Sequence, residues 1–93
     1  MVPIQKLLKR IRWDKEFGRG VFEIGYEDHI EQKILRVPFR KIRFNEENRF
    51  SFEMEDVDGV VQTIPFHRIR EVYKEGHLIW HRPHGSDSSR LDS

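Results

Sequence analysis

Two similar phrases, VPFRKIRF at residues 37–44 and IPFHRIRE at residues 64–71, decide how this chain folds. Each runs from a β-branched residue through Pro and Phe to two polar residues, then Ile and Arg, which indicates a duplicated unit. In both copies we expect the Pro to end a strand, because its nitrogen cannot donate to a β ladder. The Phe and Ile then fill the core, and the polar pair between them must face outward.

The second copy differs from the first at its polar pair, where His67 stands in the place of Arg40. A structural role in ending the strand or filling the core explains the Pro, the Phe and the Ile of this copy. It does not explain His67, Arg68 and Arg70. Arginine offers a planar, permanently charged fork that suits phosphate oxygens. These three residues are therefore the first candidates for binding an anion.

The regions around the two phrases predict one helix followed by strands. Residues 2–13 carry an apolar stripe at helical spacing, with charged residues on the opposite side. From Phe22 onward apolar residues alternate with polar ones, as in half-buried strands, and Asp58-Gly59 and Glu75-Gly76 predict hairpin turns. The alternating apolar sets are Phe22, Ile24 and Tyr26, then Leu35, Val37 and Phe39, then Phe50, Phe52 and Met54.

These patterns predict a single α+β domain over residues 1–83. An N-terminal helix packs on a curved antiparallel β-sheet of five to seven strands, or on a small barrel, with short helical turns after the two Pro-Phe phrases. Residues 84–93 hold one apolar residue in ten and predict a flexible C-terminal tail.

Composition narrows the class of protein. The chain has no cysteine, which excludes a disulfide framework and a cysteine-ligated zinc site. No apolar run approaches the roughly 20 residues of a membrane span, and no signal-peptide core follows Met1. We expect a protein with no membrane association and no cofactor, located in the cytoplasm, or in the nucleus if the cell is eukaryotic.

The net charge of +1 conceals segregated blocks of charge. Residues 1–19 and 33–43 are basic, whereas residues 20–31 and 45–58 are acidic. Such blocks give a folded protein one positive and one negative face, unless neighbouring strands pair the opposite charges and cancel the pattern. A positive face favours nucleic acid as the partner, and an acidic face at residues 45–58 favours a basic protein. Both alternatives remain open at this level.

Five histidines raise the alternatives of catalysis and metal binding. Pairs of histidines serve in phosphodiester chemistry, but neither His67 nor His77 has the hydroxyl residue two positions later that two-histidine phosphoesterases require. His77, His81 and His84 are spaced like metal ligands on a helix. In the predicted strand, however, His77 and His81 lie roughly 13 Å apart, too far for one zinc ion. We expect no metal site, and leave a His-dependent ribonuclease or cyclic phosphodiesterase as an alternative.

Five blocks occur in the order found in a known small domain family. RIRWD at 10–14, IGYEDH at 24–29, VPF at 37–39, IPFHRIR at 64–70 and GHLIWHR at 76–82 resemble the signatures of the RNA cyclic group end recognition domain. The resemblance covers about residues 5–82. It implies a non-catalytic domain that recognises processed RNA termini, 2′,3′-cyclic phosphate ends in particular, in RNA repair or processing. It also implies RNA 3′ ends as the partner, together with an RNA-end-processing enzyme such as a two-histidine phosphodiesterase.

The resemblance also assigns site residues. Its blocks place His67, Arg68 and Arg70 at the phosphate and add Arg12, Tyr26 and Asp28, with Lys9 extending the basic patch. Tyr26 or Trp80 is expected to stack on the terminal base. The chain departs from the family pattern at His29 and His81, where the family usually has Arg and Asp, so neither histidine is assigned a role. The complete predicted set is His67, Arg68, Arg70, Arg12, Tyr26, Asp28, Lys9 and Trp80.

Overall fold

The helix predicted at the N-terminus is present in the computed structural model, which describes residues 2–83. Helix α1 spans Ile4–Trp13, and Pro3 precedes it as the N-cap residue. The carbonyl oxygen of Pro3 accepts hydrogen bonds from the backbone N–H groups of Lys6 and Leu7. The apolar stripe of α1 is buried, as its spacing predicts; it consists of Ile4, Leu7, Leu8 and Ile11.

Seven antiparallel strands form two sheets over the described residues. The four-stranded sheet has the order β2-β1-β6-β7, and the three-stranded sheet has the order β3-β4-β5. The strands are β1 (Phe22–Asp28), β2 (Lys33–Pro38), β3 (Arg43–Asn45), β4 (Asn48–Glu55), β5 (Val61–Pro65), β6 (Ile69–Lys74) and β7 (His77–His81).

The two Pro-Phe phrases are the places where the chain passes between the sheets. After β2, a 3₁₀ turn at Phe39–Lys41 leads into β3 of the smaller sheet. After β5, a 3₁₀ turn at Phe66–Arg68 leads back into β6 of the larger sheet. Strand β1 pairs with β2 and β6, just as β4 pairs with β5 and β3. The repeated phrase therefore marks a repeated structural unit, with α1 and β7 added to it.

Aromatic rings join the two sheets in the core. Phe66, from the second 3₁₀ turn, stacks on Phe52 with the ring centroids 5.9 Å apart, and it lies 6.0 Å from Phe44. Tyr26 of the larger sheet meets Phe52 edge-on at 6.1 Å. Such pairs add to the free energy gained from burial itself. The buried set is Ile4, Leu7, Leu8, Ile11, Phe22, Ile24, Tyr26, Ile42, Phe52, Ile64, Phe66, Ile69, Val72 and Trp80.

Several predictions about the fold are confirmed, and two are wrong. The α+β class, the short helical turns after both Pro-Phe phrases and the two hairpin turns are confirmed, with positive φ at Gly59 and Gly76. The strands form two separate sheets and do not close into one curved sheet or barrel, because each 3₁₀ turn redirects the chain into the other sheet.

The second error concerns Phe50, which was expected to face inward with Phe52. Phe50 is 73% exposed, whereas Ser51 is buried. The last pair between β4 and β5 joins Ser51 to Pro65, and β3 pairs with β4 at Phe52 and then shifts to Asn48. Phe50 therefore lies beyond the end of the β4–β5 ladder and inside the irregularity of the β3–β4 ladder, so it has no paired residue on either neighbouring strand.

The predicted tail at residues 84–93 lies outside the described residues. Within residues 2–83, no helix has the length and apolar character needed to cross a membrane.

Phe52 and Phe50 provide a matched test of this core. Phe52→Ala removes a ring that is 0% exposed, and such truncations lower the free energy of unfolding by about 3–5 kcal/mol. Phe50→Ala, two residues away on the same strand, should change it by no more than about 0.5 kcal/mol. Denaturant unfolding measures both values, and similar losses for the two variants would contradict the described packing.

Candidate nucleic-acid interface

A groove lies between helix α1 and the β3–β4 hairpin, and we refer to it below as the α1 groove. Its volume is about 980 Å³. The residues that line it are Gln5, Lys6, Leu8, Lys9, Arg12, Trp13, Phe44, Asn45, Glu46, Asn48, Arg49, Phe50, Ser51 and Phe66. Leu8, Ser51 and Phe66 are buried, so one side of the groove is continuous with the core, while most of the other lining residues are exposed.

Four cations and one carboxylate line this groove. Lys6, Lys9 and Arg12 come from the polar face of α1, and Arg49 comes from β4. Within residues 2–83, none of these four side chains makes an ion pair. Glu46 is the carboxylate. The groove is therefore a region of net positive charge whose cations are available to an anionic ligand.

The opposite charges on the sheets are paired across strands instead. Arg36 on β2 meets Glu23 on β1 at 2.6 Å, and Arg43 on β3 meets Glu55 on β4 at 2.6 Å. Part of the charge segregation seen in the sequence is therefore cancelled by strand pairing, which weakens the case for the acidic segment as a docking face.

Arg12 is held in place by aromatic rings. Its guanidinium carbon lies 4.1 Å from the centroid of the Phe44 ring and 5.2 Å from that of Trp13. Cation–π contacts of this kind fix the plane of the guanidinium without using its N–H donors. Within the described part of the chain no acceptor bonds those donors, so Arg12 presents a pre-oriented fork to the groove.

Arg70, predicted to bind phosphate, is instead part of the scaffold. Its side chain is 16% exposed and forms an ion pair with Glu27 at 3.1 Å. Its second terminal nitrogen donates a hydrogen bond to the carbonyl oxygen of His67. Both terminal nitrogens of the guanidinium are thus engaged. Arg70 is the β6 residue that has no β1 partner at the register shift between Gly25 and Tyr26.

His67 and Arg68 remain accessible, although the α1 groove does not include them. His67 is exposed and Arg68 is half-buried, and both lie on the second 3₁₀ turn. Phe66, the residue before them, lines the groove. His67, Arg68 and Arg70 therefore do not converge on one pocket: His67 is exposed and Arg68 half-buried outside the groove lining, and Arg70 is bound to Glu27.

Arg82 is a structural residue that sequence reasoning missed. Its guanidinium donates to the carbonyl oxygens of Phe66 (3.2 Å), the first residue of the second 3₁₀ turn, and of Ile69 (2.8 Å), the residue that follows the turn. Burial and the nearby charge of Arg70 lower the pKa of Arg82. Two guanidinium groups therefore bind the carbonyls of this turn. The basic character of GHLIWHR was the available signal, but only the pairing of β6 with β7 reveals what Arg82 contacts.

Two aromatic residues predicted to stack on a base lie in the core. Tyr26 is buried against Phe52, and burial, followed by the charge of Asp28, raises the pKa of its phenol. Trp80 is buried, and its indole N–H donates to the carbonyl oxygen of Val2 at 2.7 Å. Neither ring has an exposed face for a base. Tyr and Trp serve the core here because each faces inward from its strand.

Asp28, also predicted as a site residue, stabilises a turn. One of its carboxylate oxygens accepts a hydrogen bond from the backbone N–H of Glu31 at 2.7 Å, at the connection between β1 and β2. Its place in an RNA site remains a prediction.

No metal site emerges from the described residues: among them, no group of three or more His, Asp or Glu side chains is suited to hold a metal ion. His77 and His81 lie at opposite ends of β7. His84, the third histidine of that spacing, falls outside the described range.

The groove is also lined by Trp13, Phe50, Lys6 and Arg49, which were not in the predicted set of site residues, although Trp13 belongs to the RIRWD block of the family resemblance. Trp13 is 67% exposed. Its position gave a signal, since Trp13 falls on the polar face of α1, opposite the apolar stripe. The local sequence around Phe50 and Arg49 gave no such signal, because their exposure depends on how β3 and β5 pair with β4.

Arg82→Ala tests the role of this half-buried guanidinium. Hydrogen bonds to charged groups contribute about 1.5–3 kcal/mol to stability. We therefore expect Arg82→Ala to lower the free energy of unfolding by about that amount. Arg68→Ala is the matched control, since the Arg68 side chain makes no hydrogen bond or ion pair within residues 2–83. Equal effects of the two substitutions in denaturant unfolding would show that Arg82 does not stabilise the turn.

Comparison with known proteins supports the family resemblance. A family model described as the MJ1316 RNA cyclic group end recognition domain matches residues 1–82. No curated protein and no solved structure matches the chain significantly. The matched region includes α1, all seven strands and the α1 groove. Because the match spans nearly the whole chain, the protein belongs to the MJ1316 RNA cyclic group end recognition domain family.

Proposed function

We propose that this domain binds RNA ends that carry a 2′,3′-cyclic phosphate, and that the α1 groove is the binding site. The family name supports RNA as the partner and cyclic ends as the target. The observation that carries the choice of site is the set of four groove cations that have no ion-pair partner among residues 2–83. Phosphate contacts supply most of the affinity of proteins for nucleic acids.

Arg12 is the best-placed residue for the terminal phosphate. A cyclic phosphate carries one negative charge and has no free 2′-OH, so it needs one or two cationic contacts and not a large basic surface. The Arg12 fork, oriented by Phe44, meets this requirement. Lys9, one turn earlier on α1, supplies a second charge beside it.

His67 and Arg68 extend this proposal beyond the groove. They are accessible, and they follow Phe66, which lines the groove. A ligand that leaves the groove over Phe66 would meet them. We assign them a secondary role, and assign Arg70 and Arg82 the role of holding their turn in shape.

In this proposal the domain binds RNA ends without catalysing a reaction on them, and it acts in RNA repair or processing. An RNA-end-processing enzyme, such as a two-histidine phosphodiesterase, would be its partner. Copurification of such an enzyme with the domain would support this part of the proposal.

Titration of short single-stranded RNAs of one sequence tests end recognition. The RNAs end in 2′,3′-cyclic phosphate, 3′-phosphate or 3′-OH, and fluorescence anisotropy reports the dissociation constants. We expect the tightest binding for the cyclic end. Equal affinity for the three ends would refute end recognition. Conversion of the cyclic end by the intact protein would instead establish the alternative of a cyclic phosphodiesterase.

Substitutions in the groove test the site. Arg12→Ala should weaken binding of the cyclic end about 10-fold or more, as expected for loss of a charged hydrogen bond. Arg12→Lys keeps the charge but loses the planar fork, so it should restore only part of the affinity. Arg19→Ala is the control, because Arg19 is exposed and does not line the groove. An unchanged dissociation constant for Arg12→Ala would place the site elsewhere.

The salt dependence of binding gives an independent check. The four groove cations and Arg68 release at most about five counterions, so the slope of log K against log salt should be no steeper than about −3.5 for single-stranded RNA. A much steeper slope would indicate a larger basic surface than the α1 groove.

A further inference from the structure

We infer that the α1 groove takes an unpaired, single-stranded RNA end and stacks its last bases on Trp13 and Phe50. The inference rests on the proposed function, because it names the class of RNA that the proposed site accepts. The proposed function concerns the phosphate at the RNA terminus. The inference concerns the bases next to that terminus and whether they are paired.

Two exposed aromatic rings in one groove carry the inference. Trp13 at the end of α1 is 67% exposed, and Phe50 near the start of β4 is 73% exposed. Both line the α1 groove, from different elements of the fold. Single exposed apolar side chains are common on protein surfaces, but large rings in a basic groove are characteristic of single-strand binding, where each base stacks on an aromatic face.

The cations are arranged beside these rings. Arg12 precedes Trp13 in the sequence and Arg49 precedes Phe50, and all four residues line the groove. Lys6, Lys9 and Arg12 follow one another at three-residue steps, so the row extends about 9 Å along the helix axis. Phosphates can therefore lie along α1 while neighbouring bases contact the rings.

The size of the groove matches a short unpaired segment. Cavities that hold a drug-sized ligand, which is similar in size to a nucleotide, begin at about 300 Å³. The groove of about 980 Å³ therefore has room for about two or three nucleotides. A duplex end does not offer its inner bases to these rings, because they are paired and stacked on one another. Recognition of a blunt end would leave both rings unused.

Hairpin RNAs with identical stems and identical cyclic phosphate ends test the inference. One ends blunt, and the other carries a three-nucleotide 3′ overhang. We expect the overhang RNA to bind at least about 10-fold more tightly in an anisotropy titration. Equal binding of the two would overturn the single-strand inference and leave end recognition in place. Failure of both RNAs to bind, when a single-stranded RNA with the same end also fails, would overturn the proposed function itself.

Trp13→Ala and Phe50→Ala identify the stacking rings. Base–aromatic stacking contributes about 1–3 kcal/mol per base, so each substitution should weaken binding of the overhang RNA about 5- to 150-fold. Phe50→Ala should change binding of the blunt hairpin little. Trp13→Ala should weaken binding of the blunt hairpin less than it weakens binding of the overhang RNA, because Trp13 also contacts the Arg12 guanidinium. Trp13→Phe keeps an aromatic face and should retain most of the affinity.

Leu78→Ala is the matched control, since Leu78 is a half-exposed apolar residue on β7 outside the groove. It should leave both affinities unchanged. Normal binding of the overhang RNA by both Trp13→Ala and Phe50→Ala would exclude the proposed stacking. An equal loss for the overhang and blunt RNAs would also exclude it, because stacking acts on unpaired bases alone.

Discussion

The packing of Phe66 against Phe44 and Phe52 is the interaction on which the rest of the structure depends. Phe66 enters the core because Pro65 ends β5 and the following 3₁₀ turn points the ring inward. Its contacts join the turn between the sheets to two strands of the smaller sheet. The same ring lines the α1 groove. One aromatic cluster therefore holds the sheets together and forms part of the surface on which the proposed ligand lies.

Phe44 links this cluster to the proposed chemistry. It is half-buried, packs on Phe66, and has the Arg12 guanidinium 4.1 Å from its ring centroid. The Phe44 ring thus orients the Arg12 guanidinium and leaves the N–H donors of that guanidinium available to a ligand. Helix α1 has a similar double role, since its apolar stripe anchors it to the core while its polar face carries the groove cations.

The basic residues of the second Pro-Phe phrase divide into two functions. Arg70 and the later Arg82 bind the carbonyl groups of the 3₁₀ turn, and Arg70 is also paired with Glu27. His67 and Arg68 are left accessible by the same turn. Guanidinium groups suit the first task because they stay charged even when partly buried and can donate to several carbonyls at once. A run of arginines is therefore not by itself evidence that each of them meets the ligand.

Local features of the sequence determined the helix, the hairpin turns, the Pro-Phe turns and the family, because these depend on side-chain periodicity and on backbone preferences of a few neighbouring residues. Arg12 and Lys9 were predicted as site residues with the family resemblance, and their place on the polar face of a helix leaves them accessible; the groove itself depends on the β3–β4 hairpin packed beside α1. Only the tertiary structure decided which charges are free and which rings are exposed. Arg70 is bound to Glu27, 43 positions away, and Tyr26 and Trp80 are buried. Phe50 is uncovered because the β4–β5 ladder ends at Ser51 and the β3–β4 ladder skips Phe50 at its register shift. Each outcome depends on which distant strands meet and in what register, and no short stretch of sequence contains that information.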